Sequence, residues 1–352
     1  MTDPGQRLRS SLTADQSAST VEFDSPIAME ALRATRVLHA ADQEPFPAPG
    51  RIRVITIANQ KGGVGKTTSS VNLGVALALY GLRTLVVDLD PQGNTSTALG
   101  VDHSVGTPSV YDALVGDSSL AEVVHPTTAT PLLSCVPATI DLAGAEIELV
   151  SVVAREYRLR RAIETYLQEL PQEQRPHYVL IDCPPSLGLL TLNALVAGDE
   201  VLIPIQCEYY ALEGLGQLLN NIDLVRRHLN PGIAVRTILL TMYDGRTKLA
   251  DQVAEEVRNH FGGLVLDAVI PRNVRVSEAP GYGQSVVTYD PGSRGSTSYV
   301  EAARELAHRG VALPPLPSRP TPGSPVVAPL GAAFPDTDAA TVPVPPSPEE
   351  RA

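Results

Sequence analysis

The chain contains few aromatic residues, few lysines and few cysteines. Its 352 residues include no tryptophan, four phenylalanines, three lysines and three cysteines. A core with so few aromatic rings must be built from aliphatic side chains, which suits a parallel sheet that is buried on both faces. Because Cys135, Cys183 and Cys207 form no CxxC pair, we expect reduced, mostly buried thiols rather than a disulfide framework.

Long apolar runs are also absent. No run of about 18 apolar residues is present to span a bilayer, and no apolar signal segment opens the chain. We therefore predict a soluble, cytoplasmic protein with no membrane partner. The net charge is −12, of which −3 falls in residues 1–50, −2 in residues 311–352 and −7 between them. Such a charge argues against a dedicated, strongly basic nucleic-acid binder but allows a local basic patch.

The two ends of the chain differ in composition from its middle. Residues 1–50 are mostly polar with no sustained hydrophobic period, although residues 26–41 could form a short amphipathic helix. Residues 311–352 hold 12 of the 31 prolines, which is typical of a disordered or polyproline-like tail. We predict a disordered N-terminal extension (1–50), a single α/β domain (51–310) and a Pro-rich disordered C-terminal tail (311–352).

Short aliphatic runs alternate with helical patterns between the two tails. This alternation predicts βαβ units and a doubly wound, mostly parallel sheet, in which ligands bind at the carboxyl ends of the strands. The predicted strands are residues 54–58, 84–88, 132–136, 178–182, 200–204, 237–241 and 264–270. The predicted helices are residues 67–80, 109–115, 143–152, 157–167, 188–197, 212–228, 249–261 and 297–307.

Two of the three lysines lie five residues apart in one glycine-rich loop, Lys61-Gly62-Gly63-Val64-Gly65-Lys66-Thr67-Thr68. The loop follows a β-branched run and opens a helical stretch, which is the arrangement of a phosphate cradle. Backbone N–H groups and the helix N-terminus then face the anion. Lys66 is predicted to reach the outer phosphates, and the Thr67 hydroxyl to ligate Mg²⁺.

The first of these lysines departs from the ordinary phosphate loop, which has a glycine where this chain has Gln60. A loop that closes on its own triphosphate needs only one lysine for the terminal phosphates. The second ammonium, on Lys61, therefore indicates a second role, such as contact with a phosphate held by another subunit.

Acidic residues follow two of the predicted strands. Asp88 and Asp90 stand at the end of the second strand, and the alternation of a strand would point both the same way. Two carboxylates beside a Mg²⁺-triphosphate can orient the attacking water and tune the metal shell. The apolar run of residues 178–181 ends at Asp182, the expected form of a Walker B acid, which holds Mg²⁺ directly or through water. The alternative for the Asp88–Asp90 segment is an ordinary acidic turn.

Two segments of the C-terminal half carry weaker signals. Pro271 could pack on an adenine ring whose edge Asn273 reads, or this segment is a polar loop without a ligand. Basic side chains recur in the loops of the same half and could contact a nucleic-acid backbone, which positions the protein without reading sequence. The alternative is a solvated surface. These basic residues are Arg246, Lys248, Arg272, Arg275 and Arg294.

Together these segments resemble the ParA/Soj chromosome-partitioning ATPases, the deviant Walker A class of P-loop NTPases. The resemblance extends over residues 51–310 and leaves out both tails. It is carried by the phosphate loop and by the segments Val87-Asp88-Leu89-Asp90-Pro91-Gln92-Gly93-Asn94, Ile181-Asp182-Cys183-Pro184-Pro185-Ser186-Leu187-Gly188, Glu208-Tyr209-Tyr210-Ala211-Leu212-Glu213-Gly214-Leu215 and Pro271-Arg272-Asn273-Val274-Arg275.

The resemblance implies an ATP-dependent switch in which two subunits enclose two ATP molecules. Lys61 would contact the partner's nucleotide, and Asp90 would position the hydrolytic water. Lys66, Thr67 and Asp182 would hold phosphate and Mg²⁺, with adenine near Pro271 and Asn273. The ATP-bound homodimer would bind double-stranded DNA without sequence preference through Arg246 and Arg275 and associate with the nucleoid. A ParB-like centromere-binding protein would stimulate hydrolysis.

Three other interpretations remain. A MinD-like ATPase would end in an amphipathic, Lys/Arg-rich helix, whereas residues 311–352 contain only Arg319 and Arg351 as basic residues. A metabolic enzyme or iron–sulfur reductase on the same scaffold would need well-placed cysteines in each subunit. A scaffold that does not hydrolyse ATP would not need the Lys66, Thr67, Asp90 and Asp182 set. The first 50 residues are too few and too irregular for the helix-turn-helix region of relatives that bind an operator.

Overall fold

The centre of the molecule is a seven-stranded sheet. The structure, a computed structural model, describes residues 44–209 and 213–313. The strands lie in the order β3-β4-β2-β5-β1-β6-β7, and every neighbouring pair is parallel except β3 and β4. The predicted doubly wound, mostly parallel sheet is confirmed. In chain order the strands are β1 (Arg53–Ile57), β2 (Thr84–Asp88), β3 (His125–Pro126), β4 (Leu133–Val136), β5 (Tyr178–Asp182), β6 (Glu200–Gln206) and β7 (Ala234–Thr241).

Helices cover both faces of this sheet. They are α1 (Lys66–Leu79), α2 (Asn94–Ala98), α3 (Val110–Leu114), α4 (Leu120–Val123), α5 (Leu142–Glu148), α6 (Arg158–Glu169), α7 (Leu189–Ala197), α8 (Glu213–His228), α9 (Lys248–Phe261), α10 (Val274–Glu278), α11 (Val286–Tyr289) and α12 (Arg294–Val311). None of the helices within the described residues is both long enough and apolar enough to cross a bilayer.

Two aliphatic cores form because strand side chains alternate between the faces. In β1, Val54 joins the core under α3 to α9, whereas Ile55 and Ile57 join the core under α1 and α12. All residues of β1, β2 and β5 are buried, as expected for strands covered on both sides. Since these three strands are neighbours, the loops at their carboxyl ends meet at one edge of the sheet.

The prediction of a strand at residues 264–270 is wrong. This segment runs beside β7 but forms only isolated bridges, Ile238 with Val265 and Tyr243 with Pro271. Between the bridges, the backbone N–H groups of residues 267 and 268 donate to the carboxylate of Glu305 on α12 rather than to β7. The amides of Leu266 and Ile270 still donate to β7, to the carbonyls of Ile238 and Leu240 at 2.9 Å each, so the ladder is interrupted between them rather than continuous. The two-residue strand β3 is too short for a sequence period to reveal.

The packed chain includes residues on the N-terminal side of residue 51. The ring of Phe46 is buried and stacks on Tyr80 with 4.3 Å between centroids. The amide of Phe46 also donates to the carbonyl of Tyr80 at 3.0 Å, and that of Gly50 to Gly310 at 3.3 Å. The amphipathic helix proposed for residues 26–41 and the tail from residue 314 onward lie outside the described residues.

A buried ion pair fixes the amino-terminal end of the sheet. Arg53 on β1 is 1% exposed, and its Nε and Nη2 donate to the two carboxylate oxygens of Glu200 on β6 at 3.0 and 2.6 Å. Its Nη1 donates to the carbonyl of Leu306 at 2.6 Å. This arginine therefore joins β1, β6 and α12 at the end of the sheet opposite the phosphate loop.

Arg53→Met should lower the free energy of unfolding by about 3–5 kcal/mol, because it leaves the Glu200 carboxylate buried without its main partner. The matched change Arg227→Ala removes an exposed ion pair with Asp223 and should cost less than about 1 kcal/mol. Urea unfolding of both variants measures the difference. A loss below about 1 kcal/mol for Arg53→Met would contradict the anchoring role.

Candidate nucleotide-binding site

The phosphate loop is bent by glycines with left-handed backbone conformations. Gly63 has φ 74° and Gly65 has φ 92°. Gly65 is the N-cap of α1, and its carbonyl accepts the amide of Ser69 at 2.8 Å. An L-residue in this conformation costs about 1–2 kcal/mol, so glycine at 65 is what lets the loop turn directly into the helix. The first amides of α1 consequently face the space above the loop.

Side chains from the neighbouring strands brace this loop. The Thr241 hydroxyl at the end of β7 donates to the carbonyl of Val64 at 2.8 Å. Asn59, two residues after the end of β1, donates from Nδ2 to the carbonyl of Pro204 at 2.8 Å and accepts the amide of Lys61 at 3.0 Å. Asn59 was not among the predicted site residues, and the signal for it was a polar residue two positions after a buried strand.

Lys66 is buried at the base of the loop, with a relative exposure of 6%. Its Nζ donates to the carbonyl of Lys61 at 3.2 Å, across the width of the loop. Burial lowers the pKa of the Lys66 ammonium, and the charges of Asp182 and Asp90 oppose this shift. A desolvated ammonium beside amide donors gains most from an anion that carries several charges.

Asp182 ends β5 beside the loop and is fully buried. Its Oδ2 accepts the hydroxyl of Thr95 at 2.7 Å, and its Oδ1 accepts that of Ser70 at 3.0 Å. Burial raises the pKa of the Asp182 carboxyl, and the nearby hydroxyl groups of Thr95, Thr67 and Ser70 oppose the shift. Thr67 and Asp182, two of the three residues predicted to hold Mg²⁺ together with Asp90, thus lie near each other.

Asp88 and Asp90 occupy different positions. Asp88 is the last residue of β2 and is fully buried, and its Oδ2 accepts the amide and hydroxyl of Ser96 at 2.9 and 2.7 Å. Asp90 lies beyond the strand in a turn, where its Oδ1 accepts the amide of Gln92 at 3.1 Å. Strand alternation therefore does not orient Asp90, because β2 ends at Asp88. The carboxylate of Asp88 instead holds the turn, through hydrogen bonds from Ser96 and from the backbone amide of Asp90.

The two fully buried acids are neighbours, because Asp88 on β2 pairs in register with Asp182 on β5. Burial raises the pKa of Asp88 well above the usual range of an aspartic acid, and the charge of Asp182 raises it further. Helix α2 ties to both acids through consecutive residues, Thr95 and Ser96. A cation held by Asp182 would relieve the repulsion between the carboxylates.

Ser70, Thr95 and Ser96 were not among the predicted site residues either. Ser70 lies one helical turn after Lys66, so it reaches the same edge of the sheet as the phosphate loop. Thr95 and Ser96 directly follow the turn after Asp90. Small hydroxyl residues are common in helix termini and turns, and only the three-dimensional arrangement shows that these contact the buried acids.

The adenine-binding prediction falls on a loop that packs beside β7. Pro271 forms a bridge with Tyr243, and Asn273 caps α10 by accepting the amide of Arg275 at 2.8 Å. A cavity of about 280 Å³ lies beside Thr67 and Thr68. Its lining includes Val276 rather than Pro271 or Asn273. The structure thus leads the segment after Asn273 towards the phosphate loop, while adenine contact by Pro271 and Asn273 stays a prediction.

The two arginines predicted to bind DNA are exposed and paired with acids of the same chain. Arg246 donates to both carboxylate oxygens of Asp244 at 2.8 and 2.7 Å. Arg275 pairs with Glu278 at 2.9 Å and with Asp290 at 3.2 Å. The bridge between residues 243 and 271 places their segments side by side. Exposed pairs of this kind are weak, so a phosphate can compete with the acids.

Known proteins resemble the chain over the same region. Residues 52–235 match the family model described as an AAA domain. The chain is 54% identical over 258 residues to the sporulation initiation inhibitor protein Soj of Bacillus subtilis. The match covers 73% of this chain and 99% of Soj. It is 52% identical over 257 residues to the chromosome partitioning protein ParA of Myxococcus xanthus, covering 73% of this chain and 88% of that protein.

A solved structure shares the architecture. The crystal structure of cobyrinic acid a,c-diamide synthase from Mycobacterium smegmatis, with bound ATP analogue and magnesium, has a TM-score of 0.62 and 38% identity. The match covers 73% of this chain and 95% of the other.

Gly65→Ala should lower the affinity for a fluorescent nucleoside triphosphate by about 5- to 30-fold, since a left-handed alanine costs about 1–2 kcal/mol and tilts the loop amides. The matched change Gly216→Ala lies on an exposed face inside α8 with open space around it. It should raise stability by about 0.5–1 kcal/mol and leave binding unchanged. Equal affinity of the Gly65→Ala and wild-type proteins would show that the loop geometry is not what binds phosphate.

Proposed function

The chain belongs to the ParA/Soj family of chromosome-partitioning P-loop ATPases, and we propose that it is the ATP-dependent switch of a chromosome or plasmid partitioning system. The observation that carries this proposal is the phosphate loop between β1 and α1. There a buried Lys66, a second lysine at 61 and the Thr67–Asp182 pair surround one space. The identity of 54% to Soj extends over nearly the whole of that protein.

The residues of the site fit ATP and Mg²⁺. The buried ammonium of Lys66 and the amides at the start of α1 provide charge and donors for a triphosphate. The Thr67 hydroxyl and the Asp182 carboxylate provide hard oxygen ligands beside it. Mg²⁺, when bound, supplies positive charge to the phosphate oxygens. The solved relative from M. smegmatis holds an ATP analogue and magnesium, which supports this assignment.

Asp90 is the residue we assign to hydrolysis. Asp88 is fully enclosed by Ser96 and the turn, whereas Asp90 is 9% exposed at the edge of the site. Its carboxylate can accept a hydrogen bond from the attacking water and orient it towards the terminal phosphate. Asp182 holds the metal side of the site, and Lys66 stabilises the charge that develops on the phosphate.

Lys61 is assigned to self-association. Lys66 already serves the phosphate of its own subunit from the base of the loop, whereas the side chain of Lys61 is 39% exposed at the loop entry. In the proposed homodimer, Lys61 of each subunit contacts the nucleotide of the other. Two ammonium groups then oppose the charge of each triphosphate, so the dimer depends on ATP.

DNA binding is assigned to the surface that carries Arg246 and Arg275. The chain is acidic overall, and binding to phosphates therefore needs the local charge of this surface. Contacts of arginine with the backbone hold any sequence equally. We propose that the ATP-bound dimer rests on the nucleoid and that a ParB-like partner triggers hydrolysis and release.

A metabolic role is less well supported. Identity to the relative named as a cobyrinic acid a,c-diamide synthase is 38%, below the 54% and 52% to Soj and ParA. The three cysteines are buried, which does not suit a metal cluster that bridges two subunits. Partitioning is the function that the site and the relatives support best.

Asp90→Ala should reduce ATP hydrolysis by about 10²–10⁴-fold, because the attacking water loses its acceptor. The variant should still bind ATP and should remain on DNA after the wild type has left it. Pelleting with DNA at successive times after ATP addition measures this. Asp117→Ala, which changes an exposed loop acid, is the control. Hydrolysis at the wild-type rate would remove Asp90 from the mechanism.

Arg246→Ala combined with Arg275→Ala should weaken DNA binding at least tenfold and leave basal ATP hydrolysis intact. If each of the four arginines in the dimer contacts one phosphate, the slope of log affinity against log salt should fall in magnitude by roughly 3.6. Co-sedimentation with DNA over a salt series, with ATP, ADP or no nucleotide, measures both quantities. Arg227→Ala removes another exposed arginine and should change neither. Wild-type protein that binds DNA equally in all nucleotide states would contradict the proposed switch.

A further inference from the structure

Lys61 is held at three atoms within its own subunit. Its amide donates to Oδ1 of Asn59 at 3.0 Å, and its carbonyl accepts Nζ of Lys66 at 3.2 Å. Its own Nζ lies 3.4 Å from Oε2 of Glu208. The proposed function needs the Lys61 ammonium to contact another subunit, but here it is paired within its own subunit.

Glu208 has further partners besides this lysine. It lies two residues beyond the end of β6, and its amide donates to the carbonyl of Gln206 at 2.8 Å. Its Oε1 accepts the side-chain amide of Gln206 and lies 3.5 Å from Nη2 of Arg272. One carboxylate oxygen thus serves Lys61, while the other serves Gln206 and Arg272.

We propose that Glu208 is an intramolecular clasp, meaning the Glu208–Lys61 ion pair, which restrains Lys61 until a second, nucleotide-bound copy of the chain offers it a phosphate. The inference rests on the proposed function, because only a cross-subunit Lys61 needs restraint. The clasp opposes self-association of the protein in the absence of triphosphate.

The clasp is weak enough to raise the threshold for self-association without preventing it. Both side chains are partly exposed, 39% for Lys61 and 46% for Glu208, and exposed pairs are worth about 0.2–1 kcal/mol. A triphosphate carries several negative charges and outcompetes a single carboxylate for the ammonium. When Lys61 leaves, Arg272 and Gln206 still neutralise and hydrogen-bond the carboxylate, so opening leaves no orphaned charge.

Glu208→Gln tests the clasp because it removes the charge and keeps the shape. Each dimer opens two clasps, and a single one is worth a factor of about 1.4–5. The variant should therefore dimerise about 2- to 25-fold more tightly in sedimentation velocity with Mg²⁺ and a non-hydrolysable ATP analogue. The advantage should shrink as salt is raised. Affinity of the monomer for the nucleotide should stay the same.

The matched control is Glu164→Gln. Glu164 is 43% exposed and pairs with Arg160 at 2.8 Å on α6. The substitution therefore removes an equivalent charge away from the loop and should leave dimerisation unchanged. An equal gain in both variants would assign the effect to net charge and overturn the clasp.

A second measurement examines the clasp in the nucleotide-free protein. The chain has three lysines, so a spectrum of protein labelled with ¹³C at lysine Cε contains three side-chain signals, and Lys61→Ala identifies the one from Lys61. Glu208→Gln should shift this signal and leave those of Lys66 and Lys248 in place. An unshifted signal would overturn the clasp.

The outcomes separate the two proposals. If the wild type dimerises with the analogue and Glu208→Gln dimerises equally or more weakly, the clasp is wrong and the proposed function stands. Weaker dimerisation would place Glu208 in the dimer contact itself. If the wild type stays monomeric with saturating analogue, the proposed function fails and the clasp with it.

Discussion

The site depends on the turn by which the chain leaves β1 and enters α1. Gly65 adopts a left-handed conformation there, which points the first amides of the helix and the buried ammonium of Lys66 into one space. Thr241 and Asn59 hold the turn from β7 and from the end of β1. Positive potential is therefore built into the backbone at the centre of the sheet, and an anion of high charge is the natural ligand.

Opposite charges are arranged around this space in layers. Behind the loop, the acids Asp88 and Asp182 are buried side by side, the charge of Asp182 raises the pKa of Asp88, and hydrogen bonds from Thr95 and Ser96 tie α2 to both. At the entry, Lys61 is paired with Glu208. In the proposed function, a metal-bound triphosphate complements both layers at once, since its cation would meet Asp182 and its phosphates the lysines. The same binding event can thus reorganise α2 on one side and free Lys61 on the other.

Much of this arrangement was predictable from the sequence. The strands β2 and β5 are aliphatic runs that end in aspartate, and β1 is a β-branched run that leads into a phosphate loop of distinctive spacing, so their positions follow from local patterns. The segment 264–270 was misassigned because Glu305, far away in sequence, binds its backbone amides. The contacts of Asn59, Ser70, Thr95 and Glu208 were not predicted for the same reason. Their partners lie in distant segments, so the local sequence gives the residue type but not the contact.

The central claim is that a triphosphate joins two copies of the chain by giving Lys61 a partner on the other subunit. Sedimentation velocity of the wild-type protein, with Mg²⁺ and a non-hydrolysable ATP analogue, with ADP, and without nucleotide, tests it most directly. The account predicts a dimer with the analogue and a monomer in the other two conditions. A monomer in all three, at analogue concentrations that saturate the site, would contradict it.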